Sequence, residues 1–397
     1  MDASVSVNYK MEDKTLVLAL EGRIDSSNAS ALEQDVQKIV AEHPASAVVL
    51  DFDSLKYISS AGLRVILRLR QQTKETDIIN ACPEVYDILE MTGFTEMMHV
   101  QKAYRSLSVE GCEVIGQGAN GKVYRIDPET IVKVYMNADA LPEINREREL
   151  ARTAFVAGVP TAIPYDVVKI EGGGYGSVFE LLNAESYAKL LSSGKKTMEE
   201  IAVMSISLLK LIHSKTVKKG SMPDMKATAQ NWAMFLKDYL PEDAYEKLIS
   251  LINAVPGDQH LMHGDYHLKN VMLQNGESLL IDMDTLCYGH PVFELASMYN
   301  AYQGYSELNH KAVEEFLGIT RDVATAFWRR SLELYLDTTD DAAIRAVEDK
   351  AKIIGYTRNM RRTIRRNGFN TEEGRAVIEN CKSKLLELLP KTDSLVF

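Results

Sequence analysis

Residues 261–284 read LMHGDYHLKNVMLQNGESLLIDMD, a run in which polar groups recur at set intervals among apolar ones. Asp265 follows His263 and Gly264, Asn270 comes five positions later, and Asp282 lies near the end of the run. Between the last two, VMLQ, NGES and LLID predict a strand hairpin with Asn275-Gly276 at its turn. Asn270 and Asp282 stand at the two ends of such a hairpin, and Asp265 precedes it by one short loop. Each residue type has a chemical use there. A carboxylate at position 265 can accept or orient the proton of an attacking hydroxyl. An amide at 270 and a carboxylate at 282 offer the oxygen ligands that Mg²⁺ prefers beside phosphates. The alternative is a metal-free core with buried acids, which needs three separate polar groups to converge by chance.

A second cluster lies upstream. Residues 116–123 read GQGANGKV, in which Gly116, Gly118 and Gly121 let backbone amides approach phosphates without a Cβ in the way. By itself this pattern also suits a plain hairpin turn. After a turn at Asp127-Pro128-Glu129 comes Ile131-Val132-Lys133-Val134. A lysine inside an apolar strand is costly to bury unpaired. The plainer reading is an edge-strand lysine with its head in water. The sharper one is an ammonium aimed at nucleotide phosphates and held by a carboxylate of the following helix. Glu147 and Glu149 are both candidates; two positions apart, they cannot share a helix face, and Glu147 is favoured.

Together the motifs resemble the aminoglycoside phosphotransferase and choline-kinase branch of the protein-kinase-like fold, over residues from about 108 to 397. HGDYHLKN is similar to that branch's HGDxHxxN, and GHPVFELA (289–296) to its GDPxxDLA, with Glu294 where Asp is usual. Little room remains after Asp282 for a long activation segment. The resemblance implies an α+β bilobal domain at 106–397, with an N-lobe to about 182 and a C-lobe beyond. It implies ATP and Mg as cofactors and a hydroxyl of a small-molecule acceptor. The roles it implies are Asp265 as catalytic base, Gly116, Gly118, Gly121 and Lys133 for nucleotide, and Glu147 to orient the lysine. Asn270 and Asp282 would take the metal, and His263 would be structural. Asp284 is either a supporting acid or solvent-facing.

The first hundred residues follow another rhythm. Apolar runs at 16–20 and 47–52 read as buried strands, and helical spacing appears at 27–42, 61–71 and 83–91. Ile78-Ile79 reads as a short strand, as does 97–100. Strands alternating with helices predict a small α/β domain with a mixed sheet. LEGRID (20–25), VVLDFDSLKYISSAGLRVIL (48–67) and ACPEVYDILEMTGF (81–94) resemble the STAS domain of anti-sigma-factor antagonists, over residues 1–105. That resemblance implies a regulatory protein partner and a phosphorylatable hydroxyl at the start of the second helix, here Ser60. The residue before it, usually Asp, is Ser59. The plainer reading makes Ser60 a helix N-cap.

Composition sets the outer limits. The chain has 397 residues, enough for two or three domains, with 46% apolar and 25% charged residues. Neither a disordered nor a coiled-coil chain has this balance. No apolar run is long enough for a membrane span, and MDASVSVNYK lacks the pattern of a signal peptide. Four scattered cysteines, with no metal-ligand spacing, fit a cytoplasmic location. A net charge of -11 argues against nucleic acid as a partner. Residues 1–105 hold 11 Lys and Arg against 16 Asp and Glu, so the acidity is not confined to one domain. Residues 358–366, RNMRRTIRR, go against it with five arginines. They read as a solvated basic face, or else as a site for an acidic acceptor or a dock for the acidic N-terminal domain. Trp232, Phe235 and Tyr239 at helical spacing read as core packing.

The main expectation is an ATP- and Mg-dependent phosphotransferase regulated or recruited by its STAS domain. Two others stand beside it. One is a serine kinase of a partner-switch circuit acting on Ser60. The other is a non-catalytic nucleotide-sensing scaffold.

Overall fold

Contiguous apolar side chains such as Leu16, Leu18 and Leu20, all essentially inaccessible, make the second strand the spine of the first sheet. The computed structural model describes residues 5–73, 75–118 and 121–397. Its contacts divide the chain into two units, Met1–Val109 with Val167–Gly173, and Glu110–Asp166 with Gly174–Phe397.

In the first unit the elements are β1 (Val5–Glu12), β2 (Thr15–Ile24), α1 (Ala29–Glu42), β3 (Ala47–Asp51), β4 (Leu55–Ile58) and α2 (Ser60–Gln72). They continue with β5 (Glu75–Ala81), α3 (Pro83–Met91), α4 (Phe94–Met97), β6 (Val100–Lys102) and β7 (Arg105–Leu107). The sheet runs β1-β2-β3-β5-β6, with β4 also on β2. β1 is antiparallel to β2, and the other pairs are parallel, which makes the sheet mixed. Leu50, Phe52 and Ile78 meet Leu32, Ile66 and Leu89 in its core. The strand expected at 97–100 is a correction. Gly93, at φ +79°, ends α3, buried Phe94 anchors a further helical turn, and the strand starts only at Val100.

The start of α2 is tightly seated. A Cβ on Gly62 would come within 2.6 Å of Ile24 Cγ2 and 2.8 Å of Ile58 Cγ1. The capping residue is Ser59, whose Oγ accepts from the Gly62 amide at 3.4 Å. Ser60 is therefore the first helical residue rather than the cap, and it is exposed.

The second unit begins with β8 (Glu113–Gln117), β9 (Gly121–Arg125), β10 (Thr130–Tyr135) and α5 (Leu141–Val156). The chain then forms β11 (Asp166–Ile170), parallel to β7 within the first unit, and β12 (Tyr175–Glu180), antiparallel to β10. Next come β13 (Glu185–Ser186), α6 (Tyr187–Ser192), α7 (Met198–His213), α8 (Met225–Phe235) and α9 (Glu242–Ala254). Four short strands follow: β14 (Leu261–Met262), β15 (Val271–Gln274), β16 (Glu277–Leu280) and β17 (Cys287–Tyr288). The unit ends in α10 (Val292–Tyr302), α11 (Ala312–Leu317), α12 (Arg321–Leu336), α13 (Asp341–Arg365) and α14 (Glu372–Leu388). A β-rich lobe thus precedes a helical one. Every residue of α10 is buried, so this helix is the axis of the C-lobe core. β15 and β16 form the expected hairpin, and Asn275 (φ +50°) and Gly276 (φ +87°) take the two positive angles of its tight turn. Among the described residues no helix is long and apolar enough to cross a membrane.

Candidate active site

Lys133 lies on β10 between β9 and β12, opposite Val123 and Ser177, so it belongs to a central strand rather than an edge. Its ammonium is 3.0 and 3.1 Å from the two carboxylate oxygens of Glu147 and 3.0 Å from Asp282 Oδ1. Burial pulls the lysine pKa down, but the two carboxylates outweigh it and hold the ammonium charged. Glu147 is 4% exposed on the inner face of α5, and Tyr135 donates its hydroxyl to it; Glu149 faces outward. Helical geometry thus settles the choice between these two acids.

Gly121, at the start of β9, is required by close approach: a Cβ there would lie 2.2 Å from the Val134 carbonyl oxygen. Gly116 meets only ordinary contact and Gly118 meets nothing within 4 Å. The loop residues between Gly118 and Gly121, Ala119 and Asn120, lie outside the described residues.

The loop after β14 is held from three sides. Gly264 takes φ +80°, and a Cβ on it would sit 2.3 Å from the Thr285 carbonyl oxygen. Buried His263 donates Nε2–H to the Ile281 carbonyl at 3.0 Å, and Thr285 Oγ1 donates to the His263 carbonyl at 2.8 Å. Glu294, in the first turn of α10 and 1% exposed, accepts backbone amides of His263 (2.6 Å), Gly264 (3.1 Å) and Tyr266 (3.3 Å). His213 Nε2 is 3.9 Å from the same carboxylate, an electrostatic rather than a hydrogen-bonding distance. Burial pushes the Glu294 pKa up; His213, His263 and the amides overcome it and hold it below the usual carboxylate value. The longer side chain at this position therefore still reaches the loop.

Asp265 projects from this loop. Burial pushes its pKa up, but His267 (Nε2 at 3.4 Å), Arg358 and His263 win and bring it down to about 2. Asn270 donates Nδ2–H to the Asp265 carbonyl at 3.0 Å, which fixes the other end of the amide as oxygen. Asp282 follows β16 in the left-handed region (φ +63°), an uncommon setting for a non-glycine residue, which places its carboxylate beside Lys133. Asp284 is half-buried, and burial together with Asp282 raises its pKa to about 6, so the solvent-facing reading does not hold.

Two site residues escaped the sequence reading. Arg358 of α13 donates Nη1–H to Ser297 Oγ at 2.9 Å and to the Gly264 carbonyl at 3.3 Å. Ser297 of α10 lies 3.5 Å from Asp265 Oδ1. Neither has a local motif; the arginine cluster was visible, but not which member turns inward. The aromatic reading also changes. Trp232 and Tyr239 are half-buried against the core, whereas Phe235 is exposed.

The oxygen donors suit a hard cation that arrives with phosphates. Among the described residues no group of three His, Cys, Asp or Glu side chains could hold a metal alone. Asn270 and Asp282 offer one amide oxygen and one carboxylate, the sparse protein share typical of Mg²⁺ sites completed by substrate oxygens and water.

Comparison with known proteins bears on both units. Residues 111–327 match the phosphotransferase enzyme family and residues 6–107 match the STAS domain. A protein named as an anti-sigma factor antagonist, BtrV of Bordetella bronchiseptica, is 38% identical over 92 residues, 22% of this chain and 78% of its own. The anti-sigma-F factor antagonist RsfB of Mycobacterium tuberculosis is 32% identical over 63 residues, 16% of this chain and about half (51%) of that protein. ADP-bound aminoglycoside phosphotransferase APH(2'')-Ib aligns over 78% of this chain and 99% of its own, at 15% identity and a TM-score of 0.46.

Proposed function

The chain belongs to the phosphotransferase enzyme family, and from that premise we propose that it transfers the terminal phosphoryl group of ATP to a hydroxyl of a small molecule. A STAS domain precedes the phosphotransferase domain and would regulate or recruit it. One observation carries the reading: Lys133, Glu147 and Asp282 converge in a charged triad next to a loop that presents Asp265 and Asn270.

In this reading Lys133, oriented by Glu147, pairs with phosphate oxygens of the nucleotide, and Gly116, Gly118 and Gly121 allow the backbone to cover them. Asn270 and Asp282 would hold Mg²⁺, which would neutralise charge on the phosphate oxygens. Asp265 stays ionised at neutral pH, accepts a hydrogen bond from the acceptor hydroxyl and aligns its oxygen. With a pKa of about 2 it is a weak base. It accepts the hydroxyl proton as the bond from the acceptor oxygen to phosphorus forms and the bond from phosphorus to the leaving oxygen of ADP breaks. The loop's anchorage on Glu294 and Thr285 keeps Asp265 from shifting as charge moves.

The test is ADP release from Mg-ATP by the full chain across a panel of alcohols, together with Lys133→Met. Acceptor-dependent release is expected, with the KM for ATP raised roughly 10- to 100-fold in the variant, the worth of a charge-assisted contact. Absence of ADP release with every alcohol would remove the reading.

A second reading rests on the exposed Ser60. Because Ser59 does the capping, the Ser60 hydroxyl stands at the first turn of α2, where free amides and the helix dipole favour a phosphate. This reading makes Ser60 the phosphorylated residue of a partner-switch surface. Peptide mass spectrometry after incubation with Mg-ATP is expected to find phosphate on Ser60 and not on Ser59. An unmodified Ser60 beside active ADP release would set this reading aside.

A further inference from the structure

α13 carries Arg358, Arg361, Arg362, Arg365 and Arg366. Steps of three, four and seven residues from Arg358 put Arg361, Arg362 and Arg365 on one helix face. None of the five has a carboxylate in ion-pair range among the described residues, although the chain as a whole has an excess of acids. Arg358 and Arg362, like Arg361 and Arg365, are like charges one turn apart, an arrangement that destabilises a helix. The C-terminal dipole favours cations only within the last turn, which covers Arg362 and Arg365 but not Arg358.

The row starts at the catalytic loop. Arg358 touches Ser297 and the Gly264 carbonyl, and its charge acts on Asp265. One turn on, the Arg361 Nε is buried and has no hydrogen-bond partner. Aromatic rings flank the row, with Trp232 5.5 Å from Arg358, Phe235 5.8 Å from Arg361, and Tyr305 5.2 Å from Arg362. Rings that stack on guanidinium groups fix their planes and leave the N–H edges free to fork onto an anion.

We propose that this face binds an anionic group of the acceptor, so that the substrate is a hydroxyl-bearing small molecule with a phosphate or carboxylate. At 1.5 Å of rise per residue, Arg361 to Arg365 lie about 5–10 Å along α13 from Arg358. An anion held there lies further along α13 than the end of the row that touches the Asp265 loop. The proposal rests on the phosphotransferase reading and adds the charge of the acceptor to it.

The experiment uses one scaffold in four charge states: glucose, gluconate, glucose 6-phosphate and glucosamine. ADP release is followed for the wild-type chain and for the double variant Arg361→Gln/Arg362→Gln. Expected is turnover of the phosphate or carboxylate member, with its KM raised roughly 10- to 100-fold in the variant and the ATP KM unchanged. The two anionic members separate phosphate from carboxylate recognition. Preference for glucose or glucosamine, or an unchanged KM, would overturn the proposal. A second arm needs no turnover. With AMP-PNP and Mg²⁺ saturating, inorganic phosphate is expected to raise the melting temperature of the wild-type chain and not that of the variant. If no hexose is turned over, this arm decides: loss of the shift in the variant upholds the anion site while the transfer reading fails. An equal shift in both proteins, or none in either, overturns the anion site.

Discussion

Asp265→Asn is expected to lower kcat by about 100- to 10,000-fold, the range associated with losing a positioned general base. The affinity for ATP should change by less than about threefold, because Lys133 and the Asn270–Asp282 hairpin remain. The substitution removes the negative charge and leaves a side chain of the same shape. The Asn270 bond to the residue-265 carbonyl is made to backbone and is retained. The loop geometry is therefore preserved while the proton acceptor is lost. Single-turnover measurement with saturating Mg-ATP and acceptor separates the chemical step from binding. An unchanged single-turnover rate would remove Asp265 from the reaction.

Glu294→Gln is expected to have the largest effect on stability, about 3–5 kcal/mol, as for loss of one partner in a buried charged network. The carboxylate accepts backbone amides of three loop residues, and an amide side chain would turn an N–H donor toward some of them. Both tryptophans, Trp232 and Trp328, lie in the second unit, so their fluorescence in urea reports that unit's transition. The pH dependence follows from the direction of the shift. The folded pKa of Glu294 lies below its ordinary 4.5, so its contribution is fully present above about pH 4.5. It is lost as pH falls through the folded value. The gap between wild type and variant should thus be widest near neutrality and close on acidification. A gap that does not vary between pH 7 and pH 3 would show that the ionised form is not what holds the loop.

The parts of the site legible in the sequence are those whose geometry is local. The spacing of Asp265 and Asn270, the Asn275-Gly276 turn and the helical phase separating Glu147 from Glu149 all lie within a few turns of chain. Lys133 was legible as an anomaly, an ammonium in an apolar strand, but its bond to Asp282 spans 149 residues and no spacing rule reaches that far. The bond from Arg358 to Gly264 spans 94 residues, and five arginines in one segment gave no means of choosing which turns inward. Ser59 and Ser60 differ only in which backbone conformation each adopts, extended for the cap and helical for its neighbour. Adjacent identical residues hide that distinction. The same limit explains residues 97–100, where a buried Phe94 and a left-handed Gly93 overrode a strand-like run of apolar residues.

Asn270 and Asp282 flank a single hairpin whose open end is closed by the Ile281 amide on the Asn270 carbonyl at 3.0 Å. Their separation is therefore a property of the thirteen consecutive residues 270–282 and not of how the two lobes of the second unit meet. The same hairpin is also bound to the segment after α5, where the Leu280 amide donates to the Pro160 carbonyl at 2.9 Å and the Ala162 amide to the Leu280 carbonyl at 3.1 Å. The Lys133–Asp282 bond adds β10 to what this hairpin holds, so one short hairpin ties together the strand of the lysine, the segment after α5 and both oxygen donors.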